Sequence, residues 1–181
     1  STTGKGVDGG QIEDSAVIAY RLTRLINCPV VATGEEDYVS DGTRVFAVPH
    51  GHPIMTAVTG TGCLLGAVLA AFFSAYYPCK NRLSIGEFLA YALAYYGLAG
   101  ESAVQVSGIK PGSFSVAFMD SLYTLDDAVL MSENRIRPIV VPDQLQVYFI
   151  SGTQDVELNE NRLLSIVEDA CRGGVTCFQF R

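Results

Sequence analysis

A short glycine-rich segment that ends in a cysteine is the part of the sequence best suited to chemistry. It comprises Thr59, Gly60, Thr61, Gly62 and Cys63, and a strongly apolar stretch that is predicted to be a helix follows it. Glycine has no Cβ, so backbone N–H groups at such a segment can approach an anion closely. The first turn of a helix adds N–H groups without intrahelical acceptors and the positive end of the helix dipole. The segment is therefore suited to hold the charge of a phosphoryl group during its transfer.

Two simpler explanations of this segment stay open at this point. Glycines before a helix more often form a tight turn that packs the helix against its neighbour, and Cys63 alone is more often a buried, inert thiol. The run of Gly4, Lys5 and Gly6 is not a P-loop, because the required glycine spacing and the following Ser or Thr are absent. The choice between these explanations depends on the rest of the chain.

The elements that precede the segment are predicted from hydrophobic periodicity. A helix is expected over residues 11–27, followed by a short, buried strand over residues 30–32. The buried face of the helix is expected to contain Ile12, Ala16, Ala19, Leu22 and Ile26. Pro29 cannot continue this helix, so it separates the two elements.

A hairpin and a second helix follow along the chain. Asp41 and Gly42, a favoured tight-turn pair, join the strands 38–39 and 45–48. The helix after the glycine-rich segment is expected to run to about residue 76 and to be buried. Its apolar run falls short of the ~20 residues that are needed to span a bilayer, so we expect no membrane segment.

Two further helices complete the first part of the chain. Ser84 and Glu87 have capping-box spacing, which predicts a helix from Ser84 to about residue 106. The small residues of this helix, which predict close packing on a neighbouring helix, are Ala90, Ala94 and Gly97. A last amphipathic helix carries the apolar residues Phe114, Phe118, Leu122 and Leu125. Strands and helices that alternate around one hairpin predict a layered α/β domain.

The pattern restarts near the C-terminus. Residues 131–143 are polar and contain two prolines, which predicts a linker. A strand over residues 147–150, a helix over 159–172 and a strand over 175–180 are predicted next. Together they form one βαβ unit, the smallest element of a parallel sheet.

Composition narrows the classes of partner and the cellular compartment. The net charge of −7 and the lack of a basic stripe argue against nucleic acid, because binding to phosphates requires clustered Lys and Arg. The five cysteines are scattered without metal-site or redox spacing, and no signal peptide opens the chain, which together favour the cytoplasm. Because the chain begins without Met and stops directly after a strand-like run, we expect an internal fragment of a longer protein.

Several segments, in order, resemble the hydroxyethylthiazole kinase family. They are Val31-Ala32-Thr33-Gly34-Glu35, Tyr38-Val39-Ser40-Asp41-Gly42, Gly51-His52-Pro53 and Val58-Thr59-Gly60-Thr61-Gly62-Cys63, with similar flanking segments at residues 4–8 and 110–114. The resemblance covers about residues 1–130 and keeps its spacing throughout. It implies a partial ribokinase-like fold that transfers the γ-phosphate of ATP to a thiazole alcohol, with ATP and Mg²⁺ as cofactors. It also implies a homotrimer for the intact protein.

The resemblance further implies roles for individual residues. Thr33, at the end of its strand, would contact ATP, and Gly60 would contribute a backbone group that binds the thiazole alcohol. Gly60, Thr61, Gly62 and Cys63 would form the anion hole. Cys63 takes the position where the wider sugar-kinase superfamily has an aspartate base, so it would accept the alcohol proton or position the alcohol. The magnesium ligands are expected to precede this chain and stay unassigned.

The C-terminal part resembles the opening of thiamine phosphate synthase. The segments that carry this resemblance are Tyr148-Phe149-Ile150-Ser151-Gly152-Thr153 and residues 173–181. It implies the first βαβ unit of a TIM barrel that joins a pyrimidine diphosphate to the thiazole phosphate. Gln179 and Arg181 match positions that bind the diphosphate of the pyrimidine, and an Arg at the end of a barrel strand suits a phosphate. An ordinary βαβ unit with a charged strand end is the alternative.

The remaining polar and aromatic residues are weaker candidates for a site. His50 and His52 are expected to be solvent-exposed loop residues. Tyr91, Tyr95 and Tyr96, at helical spacing, are expected to belong to the core rather than to a stacking site.

Other functions also stay open. The acidic turn of Glu35, Glu36 and Asp37 suits nucleotide or metal binding, and equally a solvated turn. A sugar or pyrimidine kinase of the same superfamily is one alternative, although Cys63 in place of an acid argues against it. A non-catalytic fragment that contributes only packing or assembly is the other.

Overall fold

The chain divides into two compact units, and each has its own sheet. The structure is a computed structural model that describes residues 12–145, 148–151, 160–175 and 177–180. The first unit is Ser1–Ile139 and the second is Val140–Arg181.

The first unit contains a four-stranded antiparallel sheet in the order β1-β2-β3-β4. Its strands are β1 (Val30–Ala32), β2 (Asp37–Ser40), β3 (Val45–Val48) and β4 (Arg137–Ile139). The register pairs Ala32 with Tyr38 and Asp37 with Val48, so β1 and β3 run in the same direction. Ala47 pairs with Arg137. The C-terminal ends of β1 and β3 and the start of β4 therefore lie along one edge of the sheet.

Five helices accompany this sheet in the described part of the first unit. They are α1 (Ile12–Ile26), α2 (Thr61–Ser74), α3 (Ile85–Ser107), α4 (Pro111–Thr124) and α5 (Asp127–Ser132). Short 3₁₀ turns at Pro53–Ala57 and Tyr77–Cys79 precede and follow α2. The unit is thus a mixed α/β structure with a small antiparallel sheet, which agrees with the predicted α/β class.

The long helix α3 organises the core. Its start is capped as predicted, since the Ser84 hydroxyl accepts a hydrogen bond from the Glu87 N–H over 3.1 Å. One side of α3 covers the sheet residues Val39, Phe46 and Val48, and α4 contributes further core residues. The aromatic rings of α4 that were predicted to be apolar contacts, Phe114 and Phe118, are buried and stack with a centroid distance of 5.4 Å. Tyr96 is buried as predicted, whereas Tyr91 and Tyr95 are only half-buried.

Two local predictions were wrong in detail. On α1, Leu22 and Ile26 are exposed. Among the side chains that the structure describes on this helix, those of Ala16, Ala19, Tyr20 and Thr23 are buried, and the side chain of Ile12 lies outside the description. Helical spacing of three and four residues from Ala16 selects this second face, and Thr23 can join it because its hydroxyl donates to the Ala19 and Ser40 carbonyls. The hairpin turn is also longer than the pair Asp41 and Gly42, because the Asp41 N–H donates to the Arg44 carbonyl across a four-residue loop.

Helix α2 is not the buried helix that its apolar sequence predicted. Among its residues only Leu65 is buried, and Phe73 is 45% exposed. A helix that is apolar on all sides needs neighbours on all sides, and in the first unit its main neighbour is α3. In the described part of the chain, no helix is long and apolar enough to cross a membrane.

The segment predicted to be a linker contains a strand. β4 lies within residues 131–143 and pairs with β3, with Pro138 opposite Phe46. Proline is tolerated here because β4 is at the edge of the sheet.

The second unit has the predicted βαβ order. β5 (Tyr148–Ser151) and β6 (Cys177–Phe180) are parallel, and α6 (Glu160–Arg172) connects them. A short 3₁₀ turn at Pro142–Leu145 precedes β5. The parallel pairing confirms the prediction of a βαβ unit.

Candidate functional site

The residues 59–63, hereafter the glycine turn, lead directly into α2. Gly60 is the residue before the helix and has a φ of +97°, a left-handed conformation that favours glycine. Its carbonyl accepts a hydrogen bond from the Leu64 N–H over 2.8 Å. A Cβ added at Gly60 or Gly62 would meet no atom of the described residues within 4 Å, so close packing within that part of the chain does not require these glycines. The glycine turn is open to solvent, and a packing turn does not explain it.

The open turn leaves backbone donors available. Gly60 supplies no capping side chain, and helix geometry leaves the N–H groups of Thr61, Gly62 and Cys63 without intrahelical acceptors. Cys63 is an exposed free thiol rather than a buried one. The structure therefore brings Gly60, Thr61, Gly62 and Cys63 together at the positive end of the α2 dipole, where an anion is favoured.

Two neighbouring elements hold the glycine turn in place. The Thr61 hydroxyl lies 2.9 Å from the Met55 carbonyl and 3.1 Å from the Val58 carbonyl, as a donor shared between them. The Tyr96 hydroxyl, from α3, donates to the Thr61 carbonyl over 2.6 Å. Burial raises the pKa of Tyr96 to about 12, so the phenol stays protonated and remains a donor. The turn is thus fixed by groups that do not occupy its N–H donors.

The segment 49–52, hereafter the His50 loop, connects β3 to the elements that carry the glycine turn. The prediction that His50 is exposed was wrong, because its side chain is fully buried. α3 approaches the loop so closely that a Cβ on Gly97 would lie 2.5 Å from the His50 Cβ. Gly97 was predicted to allow close packing on a helix, but the close neighbour here is a loop. His52 is half-buried, and its Nδ1 accepts from the Ile54 N–H.

Glu101 and Arg135 are polar residues of this region that the sequence analysis missed. Glu101, on α3, accepts hydrogen bonds from the Gly51 N–H over 2.9 Å and from the Arg135 guanidinium over 2.6 Å. Arg135 also donates to the Pro49 carbonyl over 3.0 Å. Both residues contact the His50 loop from positions distant in sequence, and periodicity carries no signal for such contacts.

Thr33 lies at the same edge of the sheet as the His50 loop. It follows β1 directly and is exposed, while the loop follows β3, two strands away, at a lateral distance of roughly 10 Å. In the described part of the chain no hydrogen bond joins Thr33 to the glycine turn. Thr33 and the segment that leads to the glycine turn therefore leave the sheet at the same edge, after β1 and after β3.

The acidic turn after Thr33 is more structured than a solvated loop. Glu36 forms an ion pair with Arg137 and accepts from the Tyr38 hydroxyl. Asp37 accepts from the Gly34 N–H over 3.0 Å. Burial raises the pKa of Asp37 to about 6, and the Gly34 hydrogen bond opposes part of that rise. Of the three acidic residues in this turn, only Glu35 is exposed.

These carboxylates do not form a metal centre by themselves. Within the residues that the structure describes, no group of three or more His, Cys, Asp or Glu side chains could hold a metal ion. A magnesium ion at this edge would therefore depend on ligands beyond these side chains.

The residues that resemble thiamine phosphate synthase lie in the second unit. Gln179 is in β6 and pairs with Ile150 of β5. Arg181 lies outside the described residues.

Comparison with known proteins identifies the family. The model of the hydroxyethylthiazole kinase family matches residues 1–128, which is more than two thirds of the chain. The chain belongs to the hydroxyethylthiazole kinase family. The matched range contains the glycine turn, Thr33 and the His50 loop, whereas β4 and the second unit lie after it.

Individual hydroxyethylthiazole kinases support the assignment. The chain is 41% identical over 130 residues to the hydroxyethylthiazole kinase of Streptococcus agalactiae serotype Ia, covering 71% of this chain and 49% of that protein. It is 43% identical over 135 residues to that of Tolumonas auensis, covering 74% and 48%. A solved structure of hydroxyethylthiazole kinase protein from Pyrococcus horikoshii OT3 superposes with a TM-score of 0.63 at 34% identity, covering 71% of this chain and 47% of that one. The chain spans about half the length of the curated relatives that it matches.

Proposed function

We propose that the protein is a hydroxyethylthiazole kinase of thiamine salvage, which transfers the γ-phosphate of ATP to the hydroxyethyl group of a thiazole alcohol. The single observation that carries this proposal is the glycine turn at the start of α2, which has no side-chain cap and is open to solvent among the described residues. Membership of the family supplies the reaction. Because the chain spans about half of its relatives, the substrates and partners of the whole protein belong to the proposal.

The glycine turn stabilises the charge of the moving phosphoryl group. The N–H groups of Thr61, Gly62 and Cys63 face an anion at the helix start, where charge develops during transfer. Gly60 contributes a backbone group to the thiazole alcohol, and Thr33 contacts ATP. The phosphates of ATP suit the glycine turn because its donors are backbone amides at a helix N-terminus, which favour phosphate. Mg²⁺ would neutralise phosphate charge when bound.

Cys63 acts on the alcohol. The alcohol oxygen forms a bond to the γ-phosphorus while the bond from that phosphorus to the bridging oxygen breaks, and ADP leaves. The alcohol proton passes to the Cys63 thiolate, or Cys63 only positions the hydroxyl and the proton passes to solvent. In the first case Cys63 is a general base, and in the second it is a binding group.

Substitutions at Cys63 separate these two roles. In Cys63→Ser, the serine hydroxyl is small and polar but is a poor proton acceptor. If Cys63 is the general base, this substitution should therefore lower kcat by about 100-fold or more. Cys63→Asp restores an acceptor and should recover part of that loss. If Cys63→Ser retains kcat and raises only the KM of the alcohol, Cys63 is a positioning group. Thermal unfolding of each variant serves as the control for folding.

The reaction itself is tested by release of ADP from the full-length protein. ATP–Mg²⁺ is supplied with the thiazole alcohol, with ribose, or with a hydroxymethylpyrimidine. ADP release that depends on the thiazole alcohol supports the proposal. Turnover with one of the other alcohols alone would instead identify another kinase of the superfamily. Isothermal titration that detects no binding of either ATP–Mg²⁺ or the thiazole alcohol would indicate a non-catalytic role.

We also propose that residues 144–181 begin a thiamine phosphate synthase-like barrel, joined through residues 131–143 to a kinase part of about residues 1–130. The support is the parallel βαβ unit together with the residues that resemble that family. The two reactions are consecutive, since the product of the kinase is the substrate of the synthase. Gln179 and Arg181 would bind the pyrimidine diphosphate.

The fusion and the assembly have separate tests. The full-length protein should release pyrophosphate from the pyrimidine diphosphate only when the thiazole phosphate is present, and Arg181→Ala should abolish this while leaving ADP release unchanged. A protein without any pyrophosphate release would refute the synthase proposal alone. The proposed homotrimer is tested by light scattering of the full-length protein, where a monomer would refute it.

A further inference from the structure

The segment 134–139 contains β4 and lies after the residues that the family model matches. It nevertheless contacts both the acidic turn of residues 35–37 and the His50 loop. Arg137 forms an ion pair with Glu36, in the acidic turn that follows Thr33 in sequence. Arg135 contacts the His50 loop, which leads to the glycine turn. These two contacts arise because antiparallel pairing with β3 brings the start of β4 to the edge where β1 and β3 end.

Arg135 contacts the His50 loop through three different groups. Its backbone N–H donates to His50 Nε2 over 3.1 Å. Its guanidinium donates to the Pro49 carbonyl from Nε over 3.3 Å and from Nη2 over 3.0 Å. Nη2 also contacts Glu101 Oε1 at 2.6 Å. A planar guanidinium can serve a carbonyl and a carboxylate at once, which a lysine ammonium on a flexible stem does poorly.

Glu101 extends this contact into the loop. The same Oε1 atom that binds Arg135 also accepts from the Gly51 N–H over 2.9 Å. His50 Nε2 is an acceptor for Arg135, so the imidazole proton lies on Nδ1, which is 3.6 Å from Glu101 Oε1. Burial and the charge of Arg135 lower the pKa of His50, against the opposing charges of Glu101 and Glu133. The neutral imidazole that Arg135 requires is therefore favoured.

A continuous series of hydrogen bonds joins the loop to the glycine turn. The Met55 N–H donates to the His52 carbonyl over 2.9 Å, at the start of the Pro53–Ala57 turn. The Met55 carbonyl in turn accepts from the Thr61 hydroxyl over 2.9 Å. These bonds connect the position of the His50 loop to that of Thr61, one of the residues that supply the open N–H groups.

We propose that Arg135 is a positioning residue, which holds the His50 loop against α3 through Glu101 and thereby fixes the glycine turn. This proposal deepens the kinase function and rests on it for its catalytic consequence. It assigns a role at the candidate site to a residue seven positions beyond the end of the family match.

Hydrogen–deuterium exchange of the full-length protein tests the positioning directly. In Arg135→Ala, which removes the guanidinium contacts to Pro49 and Glu101, the amide of Gly51 and the peptide that covers residues 49–60 should exchange roughly tenfold faster or more, since a single charge-assisted hydrogen bond already accounts for a change of about that size. Arg135→Lys should give an intermediate rate. The matched control is Arg44→Ala, because Arg44 is another exposed arginine that pairs with a glutamate of α3, at 3.8 Å from Glu87. It should leave the exchange of residues 49–60 unchanged.

A double-substitution cycle tests whether Glu101 is the partner. Glu101→Gln alone should speed exchange at Gly51, and adding Arg135→Ala should have less than the additive effect, since both changes remove the same contact. Additive effects would show that Arg135 acts on the loop without Glu101 and would overturn the proposed route.

Steady-state kinetics of the same variants test the catalytic consequence. Arg135→Ala should lower kcat for phosphorylation about tenfold, with a smaller change in the KM of ATP, and Arg135→Lys should recover part of it. Unchanged exchange at residues 49–60 would overturn the inference, whether or not the protein phosphorylates the thiazole alcohol. A wild-type protein without ADP release, but with faster loop exchange in Arg135→Ala, would refute the proposed function and leave the positioning role intact.

Discussion

Replacing Gly97 by alanine should destabilise the first unit, although alanine is the better helix former. Gly97 lies within α3, and an added Cβ would come within 2.5 Å of the His50 Cβ, 2.7 Å of the His50 carbonyl carbon and 2.9 Å of the Gly51 nitrogen. Two of these three atoms belong to the backbone, so a change of side-chain rotamer cannot relieve the contact. The His50 loop itself has to move away from α3.

The size of the effect follows from two opposing contributions. Overpacking a well-packed position costs typically 1–3 kcal/mol, and the backbone contacts place Gly97→Ala at about 3 kcal/mol. Replacing glycine by alanine inside a helix returns about 1 kcal/mol. The net loss is about 2 kcal/mol, which for a domain of this size lowers Tm by about 6 °C.

Two other glycines provide matched controls. At Gly66 on α2, an added Cβ meets nothing within 4 Å, so Gly66→Ala should raise stability by about 0.5–1 kcal/mol. At Gly100 the nearest atom is the Met55 sulfur at 2.6 Å, and this flexible side chain can move, so Gly100→Ala should have an intermediate effect. The protein contains no Trp, so urea denaturation is best followed by circular dichroism. If Gly97→Ala is as stable as Gly66→Ala, the close approach of the loop to α3 is incorrect.

Two further substitutions test the site by its ionisation and its hydrogen bonds. Burial raises the pKa of Asp37 from its ordinary value of 3.8 to about 6. Ionisation of this carboxyl therefore lowers the free energy of unfolding, and the loss grows as the pH rises from about 4 to above 6. Asp37→Asn should therefore stabilise the protein at pH 7 by at most about 3 kcal/mol and have little effect near pH 3. Urea denaturation at both pH values measures this difference, and an equal effect at the two would contradict it. Tyr96→Phe removes the hydrogen bond to the Thr61 carbonyl. It should lower the free energy of unfolding in urea by about 1–2 kcal/mol and speed amide exchange in the glycine turn. No change in either measurement would mean that Tyr96 does not hold the turn.

Local sequence signals predicted the elements whose stability is local. The capping pair Ser84 and Glu87 fixed the start of α3, because the cap depends only on residues within one turn. The βαβ order of the second unit followed from strand and helix periodicity in the same way. The open glycine turn was also within reach, since the left-handed conformation at Gly60 needs a glycine.

The parts that could not be predicted depend on contacts between distant residues. His50 looked like an exposed loop residue, and its burial results from Gly97 on α3 and from Arg135, which is 85 residues further along the chain. β4 was interpreted as linker because it is polar and contains Pro138, and its pairing with β3 is a property of the sheet rather than of its own sequence. The apolar sequence of α2 predicted a buried helix, and this was wrong for the described part of the chain, because burial depends on the neighbours that a helix meets and not on its own composition.

The two borders of the small sheet differ in their capacity to accept another strand. At one border, β4 is three residues long and has a proline at its centre, which lacks an N–H, so backbone pairing with a further strand is disfavoured there. At the other border, β1 is the terminal strand of the described sheet, and its outward backbone groups are of the kind that template strand addition. Enlargement of the sheet, by more of the same polypeptide or by a second molecule at high concentration, should therefore proceed from β1 alone.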